Sequence, residues 1–122
     1  MPPLTPMEML SLFLPADMLD YFDLVNHVSQ ETCFILFLEE KPSIPQEYSH
    51  LHLHSKGFFP EIEVQDFPIR GKAVYLRVKR RRWEDPETGQ TYSRDWNLVA
   101  SGTRITAEFG AFLKVLLGQS CG

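Results

Sequence analysis

Apolar and polar residues alternate along three stretches of the chain and run together along a fourth. The clearest alternation lies in Gly71–Trp83, GKAVYLRVKRRRW, where Val74, Leu76 and Val78 take every second position, the period of a half-buried strand. The opposite face of that strand reads Tyr75, Arg77, Lys79, Arg81 and Trp83. Glu61–Phe67 alternates too, with Ile62, Val64 and Asp66 on one side and Glu61, Glu63 and Gln65 on the other. In Tyr48–Lys56, Leu51 and Leu53 face one way and His50, His52 and His54 the other. Cys33–Leu38 is almost wholly apolar, which predicts a central strand buried on both faces. With Phe22–Val25 leading up and Ser29–Thr32 turning, it makes a hairpin over Tyr21–Glu40. Gly57–Pro60 and Pro68–Gly71 are turn signals, and Lys41–Pro45, KPSIP, is a break. After Trp83, Glu84–Gln90 forms a polar hairpin tip and Thr91–Trp96 the returning strand, with Asn97–Gly102 as a connection.

Helical periods appear at the two ends. Thr5 caps a first helix, Pro6 suits its first turn and Glu8 completes a capping box. Met7, Leu10, Phe13 and Leu14 give it an apolar side, Pro15 stops it, and Asp17–Phe22 supplies one further turn. At the other end Thr103 or Thr106 caps a helix running to about Leu117. Ile105, Phe109, Phe112, Leu113 and Leu116 follow the helical spacing, and Gly118 is the expected stop. The elements together predict an α+β domain: a small antiparallel sheet with an N-terminal helix and a C-terminal helix. One domain spans 1–122, with an acidic helix-plus-hairpin part (1–56), a basic sheet part (57–102) and the closing helix (103–118).

Composition adds little until charge is divided along the chain. Hydrophobic residues make up 43% and charged residues 23%, as in ordinary globular proteins. No run approaches a membrane span, the N-terminus lacks the pattern of a secretory signal, and the two cysteines, Cys33 and Cys121, are far apart. A cytoplasmic protein without a disulfide is the expectation. The net charge of -4 conceals an asymmetry. Residues 1–66 hold two basic and eleven acidic side chains, whereas residues 67–122 hold ten basic and five acidic. A polyanion is repelled by the first part and attracted by the second.

Seven of the twelve Lys and Arg residues fall between Arg70 and Arg82. A cationic stripe with an aromatic at each end suits a phosphate backbone with bases to stack on. The same stripe also suits a solvated face with Arg stems lying on apolar neighbours, or a partner for the acidic strand Glu61–Gln65. The three histidines on one strand face could bind Zn²⁺ or Cu²⁺, or stand in solvent. Glu39 and Glu40 are adjacent, and adjacent strand residues point to opposite faces, so they are poorly placed to share acid–base work. Cys33 sits in an apolar strand, where a thiol stays inert. There is no Gly-rich phosphate loop, G-x-S-x-G or C-x-x-C, so no active site is expected.

At DFPIRGKAVYLRVKRRRW and TGQTY, residues 57–117 resemble the N-terminal region of a family of bacterial insertion-sequence transposases. Full-length members carry a zinc-ribbon hairpin, a helix-turn-helix and an RNase H-like domain with a DDE carboxylate triad. Their ribbon has a first C-x-x-C, then a segment like D-L-P-x-x-G-K-x-V-x-L, then R-R-R-[YF]-x-C-x-x-C-G-x-x-[FY]. Asp66-Phe67-Pro68, Gly71-Lys72, Val74, Leu76, Arg80–Trp83, Gly89 and Tyr92 match those positions, and GTRITAEFGAFLK resembles the first helix after the ribbon. The second pair of cysteine positions falls at Asp85 and Thr88, and the first at about Lys41 and Ile44. Lys, Ile and Thr cannot replace four zinc-binding thiolates. The resemblance therefore implies a ribbon-like hairpin without its metal, and no cofactor. It also resembles the split arrangement in which this region has its own short reading frame, apart from the catalytic chain.

The function thus implied is that of an accessory N-terminal transposase part, not an enzyme, whose partners are insertion-sequence DNA ends and a separately encoded catalytic chain. Arg77, Lys79, Arg80, Arg81 and Arg82, with Lys72 and Arg70, would neutralise phosphates, and Tyr75 and Trp83 would stack or wedge. Phosphate contacts position a protein without reading sequence. The alternatives are a protein-interaction module without direct DNA contact, and a decayed fragment; self-association stays open. The face presented by Arg77, Lys79 and Arg81 separates the first two: exposed and continuous favours DNA, covered by carboxylates favours the interaction module.

Overall fold

The computed structural model describes residues 8, 9, 12, 14, 17–100 and 106–119. Most of the expected first helix, from Thr5 to Leu14, lies outside these, as do Thr103, Ile105 and Cys121. The described chain is α+β, with two sheets and helices at both ends. Helix α1 (Met18–Tyr21) is the short turn expected over Asp17–Phe22. Strands β1 (Phe22–Ser29) and β2 (Cys33–Glu40) pair antiparallel as the expected hairpin, with a register shift between Leu24 and Asn26. Its turn closes where the Gln30 N–H donates to the Cys33 carbonyl at 2.8 Å.

The chain then leaves the sheet. Residues 46–48 form a 3₁₀ turn, and β3 spans His54–Phe58. Strand β4 (Ile62–Ile69) returns, and a two-residue turn leads into β5 (Lys72–Lys79). Both turn residues have positive φ, Arg70 at 51° and Gly71 at 79°, as the tightest hairpins require. The first sheet has the order β1-β2-β5-β4. β2 and β5 run parallel, with Leu36 beside Leu76 and Leu38 beside Val78. The expected antiparallel sheet is therefore mixed. Alternation fixes which face a side chain takes, whereas direction follows from the excursion over residues 41–71, long enough to bring β5 back parallel.

One helix-facing side of this sheet carries the core. Leu36, Leu38, Val64, Val74, Leu76 and Val78 are all buried there, each contributing about 1.5–3 kcal/mol relative to exposure. Helix α3 (Ala107–Gln119) lays Phe109, Phe112, Leu113 and Leu116 against them, the expected periodic set. Thr106 caps it: its hydroxyl accepts from the Phe109 N–H at 3.2 Å. The Asp17 carboxylate accepts from both the Thr106 N–H and hydroxyl, tying the helix start to the chain before α1. The helix runs past Gly118, so that residue is not its stop.

Three expectations shift. β5 does not continue to Trp83: the chain breaks at Arg80, and β6 (Arg81–Glu84) belongs to a second sheet of order β3-β6-β7. The returning strand β7 is only Thr91–Tyr92. Trp96–Ala100 is helix α2, which drives Trp96 into the main core, stacked 5.2 Å from Phe22; burial of the indole outweighs the strand propensity of the preceding residues. Among the described residues no helix is long and apolar enough to cross a membrane.

Candidate nucleic-acid interface

The side of the first sheet away from the helices carries Tyr75, Arg77 and Lys79 from β5. The register places Phe37 beside Arg77 and Glu39 beside Lys79 on one side, and Glu63 beside Arg77 on the other. Tyr75 is half-buried there, opposite Gln65. Arg77 Nε lies 3.3 Å from Glu63 Oε1, and its NH1 lies 4.0 Å from Glu61. The guanidinium also sits 5.8 Å from the Phe37 ring centre. Arg77 is thus the cross-strand partner of the acidic strand. A depression of about 190 Å³ brings Arg77 and Lys79 together with Glu39 and Glu61. With Glu63 added, three carboxylates surround these two cations, a balance that does not attract phosphate.

The break at Arg80 reorients everything after it. Arg81 turns inward: its backbone N–H donates to Glu40 Oε1 and its Nε to the Glu40 carbonyl, both at 3.0 Å, while its NH1 donates to Ser55 Oγ. Its guanidinium lies 4.6 Å from the Phe58 ring centre. Trp83 is 1% exposed, so it is a core residue of the second sheet and no stacking platform. A single strand from Gly71 to Trp83 would have left it on the face of Arg77; the break removes that alternation. Arg80 lies 5.5 Å from the Phe59 ring centre, and burial lowers its pKa, opposed by the charge of Glu40. Arg82 donates to the Lys56 carbonyl at 3.3 Å. The Nε atoms of both Arg80 and Arg82 are buried without an acceptor among the described residues. Lys72 donates to the Gln30 carbonyl at 2.9 Å and stands over Phe34. Arg70 is exposed in the β4–β5 turn.

The nine candidate residues therefore do not form one surface. The charged centre that does form is built on Glu40, which the sequence marks only as a neighbour of Glu39 poorly placed for acid–base work; it is fully buried, at the joint between the sheets. Arg94 Nε reaches its Oε2 at 3.1 Å, and Arg94 NH2 donates to the Ser43 carbonyl at 2.8 Å. Arg94 also lies over the rings of Tyr21 and Trp96. Burial pushes the Glu40 carboxyl up from its ordinary 4.5, opposed by the Arg81 N–H and by Arg94. Apart from the end of an apolar strand, nothing local marks Glu40, and its partner lies 54 positions away.

Asp85 and Thr88 lie in the turn between β6 and β7. The Asp85 side chain accepts from the Glu87 N–H at 2.9 Å, and Thr88 Oγ1 accepts from the Gln90 N–H at 3.2 Å. The Gly89 N–H donates to the Asp85 carbonyl at 2.8 Å, with Gly89 at φ 73°. Side chain-to-backbone bonds hold this turn. The three histidines are not on one strand face: His50 lies in a turn and His52 in the irregular stretch before β3, and only His54 is in the strand. Leu53 is buried, but no strand begins before His54, so leucine–histidine alternation there does not mean an extended strand. Among the described residues no group of three or more His, Cys, Asp or Glu side chains is placed to hold a metal ion. Comparison with protein-family models, curated proteins and solved structures returns no match for this chain.

Proposed function

We propose that the chain is a non-catalytic accessory part of an insertion-sequence transposase, one that acts first as a docking module for a separately encoded catalytic chain. The resemblance of residues 57–117 supports the setting. The emphasis on docking is supported by one observation: Arg77 is held by Glu61 and Glu63, and Arg81 is turned onto Glu40. A strand whose charge is neutralised from within grips DNA weakly. Contact with DNA ends then falls to Arg70, Arg80 and Arg82, which lie off that face and have no ion-pair partner among the described residues.

A gel-shift titration against the terminal repeats of the encoding element tests this, with salt as the variable. Replacing Arg70, Arg80 and Arg82 together by Ala should reduce the slope of log affinity against log salt by about 2–3, at roughly 0.9 per phosphate contact. The Arg77→Ala, Arg81→Ala double variant should leave the slope nearly unchanged. The opposite ranking would remove the docking emphasis and restore the continuous stripe. An unrelated gene, in place of a DDE transposase, in the adjoining reading frame would sink the setting itself.

A further inference from the structure

A groove of about 570 Å³ lies between α3 and the edge of the first sheet. Leu36, Val74 and Ile69 line its sheet side, and Ala111, Phe112 and Val115 its helix side. Val115 is 43% exposed, although it projects from a helix whose neighbouring stripe is fully buried. Glu108, Ala111, Phe112 and Val115 are spaced i, i+3, i+4, i+7, so α3 carries a second stripe along one side. Phe112 belongs to both stripes, whereas Ala111 and Val115 lie outside the buried set that packs the helix on the sheet.

We propose that this groove seats an amphipathic helix of another polypeptide, one that presents apolar side chains flanked by Lys or Arg. Three observations select that occupant. The walls are apolar, but Asp66 and Glu108 also line the groove, and neither carboxylate has an ion-pair partner among the described residues. A cationic flank would complete them. The strand bounding the groove is an edge, yet Pro68 interrupts it, and pairing shifts between Asp66 and Ile69. A proline has no N–H to give an added strand, so a helix in the groove is favoured over strand addition. A second copy of this chain is disfavoured, because groove-to-groove pairing about a two-fold axis would bring two sets of the unneutralised carboxylates Asp66 and Glu108 into one interface with no cation to meet them. This deepens the docking reading: it rests on that reading for which chain supplies the helix, and on the groove alone for the helix's chemistry.

The test uses the full chain, ¹⁵N-labelled, and two synthetic helical peptides of about four turns. Both carry the same leucine stripe; one is flanked by Lys and the other by Glu. The Lys peptide should move the amide signals of Ile69, Ala111 and Val115 and bind at least tenfold more tightly than the Glu peptide. The Asp66→Lys, Glu108→Lys double variant should reverse that order, and Val115→Arg should weaken binding at least tenfold with unchanged circular dichroism. Equal binding of the two peptides, or no shift at these amides, overturns the proposal. So does a dimer in sedimentation that Val115→Arg dissolves, since the occupant is then a second copy. Co-purification with the catalytic chain separates the two readings. If the Lys peptide seats but the catalytic chain does not co-purify, the groove stands and the transposase setting falls. If the catalytic chain co-purifies equally well with Val115→Arg, docking stands and the groove falls.

Discussion

The two sheets are held by opposite means. The four-stranded sheet is backed by α3 and by the ring cluster of Tyr21, Phe22, Trp96, Phe109 and Phe112, with ring centres 5.2–6.2 Å apart. Its buried residues are apolar almost without exception. Trp83 of the three-stranded sheet and Leu53, just before β3, are buried, and neither belongs to the main core. Around them guanidinium groups do what methyl groups do elsewhere. Arg81 lies over Phe58 and Arg80 over Phe59, while Arg81 and Arg82 donate to main-chain carbonyls. A sheet too small for its own apolar core uses Arg stems and planar heads as packing material. A dense basic run is therefore no nucleic-acid signal by itself; its meaning depends on which sheet receives it.

The largest effect should come from the apolar half. Phe22 is fully buried between Trp96 and Phe112, and Phe22→Ala should cost about 3–5 kcal/mol in denaturant unfolding. The loss should appear in one transition for both sheets if Glu40 couples them. Two separated transitions would show that the small sheet melts on its own, and would break the picture of a shared joint.

Glu40→Gln tests that joint directly. It keeps the shape but puts an NH2 where one of the two carboxyl oxygens accepts from the Arg81 N–H or from Arg94, which is only 13% exposed, and the donor left unpaired should cost about 1–3 kcal/mol. The pH dependence carries a sign. Burial raises the folded-state pKa of Glu40 above its ordinary 4.5, so the folded protein keeps this proton longer than the unfolded chain. Its contribution is fully present below 4.5 and is lost as pH rises through the raised value. The stability gap between the native protein and Glu40→Gln should therefore be widest at low pH and narrow upward. A gap that widens with pH would mean that the two arginines outweigh burial.

Asp85→Ala removes one acceptor from the hairpin tip. Its loss frees the Glu87 N–H, which remains near water, so the cost should be about 1 kcal/mol, read as a small shift in the melting temperature. A much larger loss would place the tip among the determinants of the second sheet.

Legibility in the sequence followed the same division. β4, β5 and α3 are readable because a half-buried strand and an amphipathic helix each impose a period, and Val74-Leu76-Val78 and Phe109-Phe112-Leu113-Leu116 keep it; β1 and β2 are readable from the apolar run and its turn, although β2 is fully buried only on the Leu36–Leu38 side, with Ile35 and Phe37 half-buried on the other. The break at Arg80 was not, since Lys79 to Arg82 is a run of cations without alternation. Trp96–Ala100 reads as a short apolar stretch whose helical form is decided by where Trp96 packs. The Arg77–Glu63 pairing was legible because it follows from neighbouring strands. The Glu40–Arg94 pairing was not, because it joins the end of β2 to the segment after β7, and no local pattern reports a contact of that range.

The smallest effect concerns the residue on which the two readings of the basic run divide. Arg77→Ala removes an ion pair whose side chains are 40% and 50% exposed, so water screens it and the stability cost should be only about 0.2–1 kcal/mol. If Arg77 serves the sheet alone, that small loss is all that changes, and it should shrink further at high salt. If Arg77 also reaches phosphate, the same substitution should reduce the salt slope of DNA binding by about one contact. Glu63→Gln separates the cases from the other side. Freeing Arg77 from its carboxylate should lower stability by a similar small amount and, if the guanidinium can then reach DNA, tighten binding at low salt. Stability loss with unchanged DNA affinity in both variants would assign the centre of the strand to cross-strand pairing.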